Sequence, residues 1–166
     1  MTQKLEATAE LKHASADKFY GFFKNNMNDL INVFPASFKT VQLLEGEEGS
    51  VGCVKLWNYV IEGIPMIVKA KVEAIDDDKR SLTFVAMDGD IMQMYKSFKA
   101  ILNVNDGFAN WLVEYEKALE ASPSPDIYLI CSSIHKSPIF PNSGLIKEEE
   151  HLKFGSSIVN IKLLPT

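Results

Sequence analysis

Lys55, Trp57 and Tyr59 are the residues best placed to do chemistry in this chain. In a strand, a two-residue period puts all three on one face, while Val54, Leu56 and Val60 take the other. A cation beside two aromatic rings suits the anchoring of a carboxylate or phenolate, and Tyr115, inward on a later strand, adds a second hydrogen-bonding group. The competing reading has the Lys55 stem snorkelling to a cavity mouth and its ammonium touching only water. Acid–base chemistry would call on Asp90, Lys55 and Tyr115, but no nucleophile, base and orienting group emerge as a set.

Metal and thiol chemistry have less to work with. His13, His135 and His151 are scattered, so neither a metal site nor a catalytic triad is expected. Cys53 and Cys131 lack metal-ligand spacing and read as two reduced thiols in apolar surroundings. The run Asp76-Asp77-Asp78 has no spaced fourth ligand and reads as a solvated hairpin turn rather than a cation site.

The strand carrying Lys55 is fed by a loop with Gly46, Gly49 and Gly52. A phosphate cradle would set glycine amides beside a lysine and a hydroxyl at the head of a helix, whereas this loop carries Glu47 and Glu48 and opens into a strand. Upstream, residues 3–12 alternate as a half-buried antiparallel strand, with Leu5, Ala7, Ala9 and Leu11 on one face. Ser15 offers an N-cap to a helix over 16–24, whose apolar stripe is Phe19, Phe22 and Phe23. A second short helix over 28–33 stops before Pro35.

Strands are expected over 38–44, 53–61, 65–75, 81–87, 94–104 and 108–116, joined by turns at Glu62-Gly63, Asp76-Asp77-Asp78, Asp88-Gly89-Asp90 and Asn105-Asp106-Gly107. Their inward phases carry Met66, Val68, Ala70, Val72 and Ala74, then Leu82, Phe84 and Ala86, then Met94, Phe98, Ala100, Leu102 and Val104, and finally Ala109, Trp111, Val113 and Tyr115. Such a meander curves, and its concave face needs a cover. Pro123-Ser124-Pro125-Asp126 starts a helix over 127–136, Pro138 and Pro141 cut it, a second piece spans 143–154, and 157–164 is a strand or packed tail.

With 166 residues, the chain is the size of one domain with one core, residues 1–166. A net charge of -5 argues against a nucleic-acid partner, whose binding would require phosphate neutralisation. Charged residues interrupt every apolar run among the first thirty, and no later run has the length to span a bilayer, so a cytoplasmic protein without membrane insertion is expected, monomeric or weakly dimeric.

Several motifs in order carry a family resemblance: Asp17-Lys18-Phe19-Tyr20, Asn32-Val33-Phe34-Pro35, Glu45-Gly46-Glu47-Glu48-Gly49-Ser50-Val51-Gly52, Lys55-Leu56-Trp57-Asn58-Tyr59, Gly89-Asp90, Tyr95-Lys96-Ser97-Phe98-Lys99 and Glu114-Tyr115-Glu116-Lys117. Over about residues 2–130 the chain resembles the plant major latex protein (ripening-related) branch of the Bet v 1-like, START-related superfamily. The resemblance implies an α+β helix-grip fold: a seven-stranded curved antiparallel sheet, two short helices closing one end, and a long C-terminal helix. Pro138, Pro141 and Gly144 depart from that pattern, so the last helix is expected to be interrupted and the tail over 137–166 atypical.

The resemblance also implies an internal cavity that binds small hydrophobic or amphipathic plant metabolites or hormones, without a cofactor and with a link to defence response. The ligand-binding residues expected on it are Phe23, Lys55, Trp57, Tyr59, Phe84, Phe98, Trp111 and Tyr115. Family members that catalyse condensations or isomerisations, or act as weak ribonucleases, supply the alternative. The segment Glu62-Gly63-Ile64-Pro65-Met66 is similar to the gate of the superfamily's hormone receptors, but the matching His-Arg-Leu latch is absent from 88–94.

Overall fold

The computed structural model describes residues 1–11, 15–125 and 159–164, the last six as backbone alone. The helices expected over 127–136 and 143–154, the interruption between them, Cys131 and all three histidines lie outside the described residues. Strand β1 (Gln3–Glu10) leads to α1 (Ala16–Asn25), a 3-10 turn (Met27–Asp29) and α2 (Leu30–Val33). Then come β2 (Phe38–Glu45), β3 (Val54–Ile61), β4 (Ile64–Asp76), β5 (Ser81–Gly89), the short α3 (Ile91–Met94), β6 (Tyr95–Asn105), β7 (Phe108–Lys117) and β8 (Val159–Leu164). All pair antiparallel in the order β2-β3-β4-β5-β6-β7-β1-β8.

The seven strands expected from the resemblance form one curved sheet, and β8 adds an eighth by pairing with β1 from Lys4↔Leu164 to Ala9↔Val159. Because β1 and β2 lie towards opposite edges, the chain must cross the sheet between them, and α1 and α2 make that crossing. Ser15 caps α1 as expected, its side chain accepting from the Lys18 amide at 3.2 Å. The stripe Phe19, Phe22 and Phe23 is buried, worth about 1.5–3 kcal/mol for each ring taken from water.

Two details differ from the alternation expected of the strands. A bulge between Val72 and Ala74 shifts the phase of β4, so Ala74 faces solvent and Ile75 packs on the core. Met94 belongs to the single turn of α3 rather than to β6, because Asp90 and Gly89 hold the chain against β4 before the next strand begins.

The acidic run does turn the β4–β5 hairpin, but Asp77 does more than meet solvent. Its carboxylate accepts from the Tyr20 hydroxyl at 2.8 Å and from the Lys24 ammonium at 2.7 and 2.8 Å, tying α1 to the sheet. Arg80 adds a second tie, donating to Asp17 at 2.6 Å. The Lys24 hydrogen bond, and after it that of Tyr20, holds the Asp77 carboxyl below its usual range. A depressed carboxyl contributes stability above its unfolded value, near pH 4, that is lost as pH falls through the folded value. Because the carboxylate is solvent-screened, Asp77→Asn is expected to lower the melting temperature only slightly at pH 7, with the gap from wild type closing below about pH 4. Thermal scans across that range would count against the tie if the gap stayed constant.

Candidate functional site: a cavity under the curved sheet

The inner face of β3 to β7 does not close on itself. Register places Lys55 opposite Ala70 and Ala70 opposite Ala86, while Phe84 pairs with Ala100 and Ala100 with Val113. Three alanines at inward positions on neighbouring strands leave space that larger side chains would fill. A cavity of about 520 Å³ results, within the range that accepts a small organic ligand.

Seven of the eight residues expected from the sequence line it: Phe23, Lys55, Trp57, Tyr59, Phe84, Phe98 and Trp111. Trp111 forms the floor between two rings, with Phe23 edge-on at 5.1 Å and Phe84 stacked at 6.3 Å. Its indole N–H is buried without an acceptor among the described residues, a state that costs about 1–3 kcal/mol. Phe38 meets Trp57 edge-on at 5.9 Å. Tyr115 lies elsewhere: it is fully buried, packs edge-on to Tyr95 at 5.7 Å, and is not among the lining residues. The inward phase of β7 was read correctly, but its end at Tyr115 passes beyond the cavity.

Lys55 is buried, and its ammonium is engaged by protein groups rather than left to water alone. It is paired with the Glu48 carboxylate, donates to Asn28 Oδ1 at 2.8 Å, and sits 5.8 Å from the centre of the Trp57 ring. Asn28 closes the triangle by donating to Glu48 Oε2 at 3.3 Å. Neither Glu48 nor Asn28 was expected at the site. The signal that could have found Glu48 is a carboxylate seven residues ahead of an inward lysine, across a glycine turn that brings the chain back on itself.

Cys53 lines the cavity next to this cluster. Burial pushes its thiol up, the Lys55 ammonium pulls the other way, and Glu48 adds to the upward shift, which leaves a protonated, weakly nucleophilic group. Asp90 is not among the lining residues. Its carboxylate accepts from the Ile67 amide at 2.7 Å while its own amide donates to the Ile67 carbonyl at 2.9 Å. That pair of hydrogen bonds to β4 seats the adjacent Ile91 in the cavity wall. The β3–β4 turn at Glu62 and Gly63, both with positive φ, also contributes to the rim.

An antiparallel sheet curved around an aromatic-lined cavity, with short helices bridging its edges, defines a ligand-binding fold of the Bet v 1 type. The family model for the pathogenesis-related protein Bet v 1 family matches residues 1–137, and the chain belongs to that family, among its plant major latex proteins. MLP-like protein 28 of Arabidopsis thaliana is 34% identical over 157 residues, covering 90% of this chain and 46% of its own length, so the chain spans about half of that relative. Major latex-like protein 151 of Panax ginseng, a crystal structure, superimposes with a TM-score of 0.75 at 31% identity, covering 81% of this chain and 95% of its own. Norcoclaurine synthase of Thalictrum flavum shares the fold with a TM-score of 0.68 at 15% identity, covering 85% and 95%. Among the described residues no helix is long and apolar enough to cross a membrane.

Proposed function

We propose that this chain is a binding and carrier protein for small hydrophobic or amphipathic plant metabolites or hormones, acting in the cytoplasm as one domain, with a role in defence response. The observation that carries the reading is the cavity itself: about 520 Å³, walled by aromatic rings, with a buried polar cluster at Lys55. Most of a guest's stabilisation there would come from apolar area removed from water, with the cluster setting its orientation.

Binding is favoured over catalysis on chemical grounds. A condensation or isomerisation needs an acid or base facing the guest. Asp90 spends its carboxylate on the Ile67 amide, Tyr115 is outside the lining, and the Lys55 ammonium is paired with Glu48. Native mass spectrometry of the protein after incubation with a plant lipid extract tests the proposal. One added small molecule per chain is the expected result; a bare chain mass under gentle ionisation would refute it.

A further inference from the structure

The polar end of the cavity is already occupied by the protein's own anion. Lys55 is the one strongly buried charge among the described residues, and its donors go to Glu48 and Asn28, with the Trp57 ring beside them. Glu48 and Lys55 both line the cavity. A guest carboxylate or sulfonate would either displace Glu48 from the ammonium or bind beside it, and in both cases it would face the Glu48 carboxylate at close range.

Glu48 is also held in place by its loop. Gly49 packs so closely on α1 that a Cβ there would lie 2.6 Å from Asn25 Oδ1, and a Cβ on Gly46, whose φ is +74°, would lie 3.1 Å from the Cys53 backbone. The amides of Ser50, Gly52 and Cys53 donate to Glu47, Val72 and Ser50 carbonyls at 2.8–3.2 Å. The loop thus fixes the Glu48 backbone, and its carboxylate can leave the ammonium only by a change of side-chain rotamer. Two further cations line the cavity: Lys24, which is committed to both oxygens of Asp77, and Lys71, half-buried next to the inward Ala70 on a side chain that strand alternation directs to the opposite face.

Resting on the cavity-binding reading above, we propose that Glu48 is a specificity-determining residue: it fills the anion position at Lys55 and so selects uncharged amphipathic guests, bearing hydroxyl or carbonyl groups, over carboxylates and sulfonates. An uncharged guest leaves the ion pair whole and uses the remaining hydrogen-bonding capacity of the cluster. The function of Lys55 is then to hold Glu48, not to hold the guest's anion.

A matched pair of fluorescent probes tests this: N-phenyl-1-naphthylamine, which is uncharged, and 8-anilino-1-naphthalenesulfonate, the same ring system with a sulfonate. Wild type is expected to bind the uncharged probe at least about tenfold more tightly than the sulfonate. Glu48→Gln keeps the side-chain shape and frees the ammonium, so it should tighten the sulfonate at least about tenfold while moving the uncharged probe by less than about twofold. Adding Lys55→Met to Glu48→Gln should abolish that gain. Equal affinities for the two probes in wild type, a comparison that needs no variant, would overturn the assignment, as would an unchanged ratio in folded Glu48→Gln. Failure of both probes to bind any of the three proteins would instead refute the cavity reading on which it rests.

Discussion

Ala100→Trp is expected to weaken binding of N-phenyl-1-naphthylamine by at least about tenfold, while leaving the protein folded. Ala100 lies on the inner face of β6, paired across the sheet with Phe84 and Val113, and lines the cavity. An indole at that position enters the space a guest would take. Inserting a large side chain into a filled core costs about 1–3 kcal/mol, but here the room exists and new apolar surface is buried, so the melting temperature should hold or rise. Loss of binding together with retained stability is the signature of a filled cavity. Unchanged probe affinity in the folded variant would mean that the probe binds elsewhere.

The largest loss of stability is expected from Gly89→Ala. Gly89 has φ +108°, and a Cβ there would lie 2.3 Å from the Ile67 carbonyl oxygen and 2.9 Å from two further backbone atoms of β4. That carbonyl cannot easily retreat, because the amide and carboxylate of Asp90 hold both polar groups of Ile67. The strain of a left-handed residue and the clash together cost roughly 2–5 kcal/mol, a drop of about 5–15 °C in melting temperature for a chain of this size. Gly63→Ala is the control: its φ of +79° is also left-handed, but nothing lies within 4 Å of the added methyl, so only the smaller strain of about 1–2 kcal/mol applies. Equal losses in the two variants, measured by thermal denaturation, would show that the close approach to Ile67 carries no weight.

The inward phases of the strands were legible because alternation is a local property. Leu82, Phe98, Leu102, Val113 and the cavity rings carried by strands all face where a two-residue period puts them. Family resemblance supplied what alternation does not, namely that the strands wrap a space rather than a packed core. The emptiness itself has a sequence signature, the inward Ala70, Ala86 and Ala100 on three neighbouring strands.

What escaped depends on distant parts meeting. Glu48 reaches Lys55 only because the glycine loop folds against the end of α1, and Asn28 joins only through the turn that follows α1. Asp77 read as one of three solvated carboxylates, since its partners Tyr20 and Lys24 lie more than fifty residues away in the chain. The phase error at Ala74 and Ile75 comes from a bulge, which inserts one residue without a compositional mark. Asp90 looked like a candidate acid because its backbone partner at Ile67 is set by sheet register.

The most direct test of the cavity account is a fluorescence titration of the wild-type protein with N-phenyl-1-naphthylamine. Trp57 and Trp111 both stand in the cavity wall, so the account predicts saturation at one probe per chain with tryptophan emission quenched in step. A probe signal that never saturates, or that saturates without changing tryptophan emission, would contradict it.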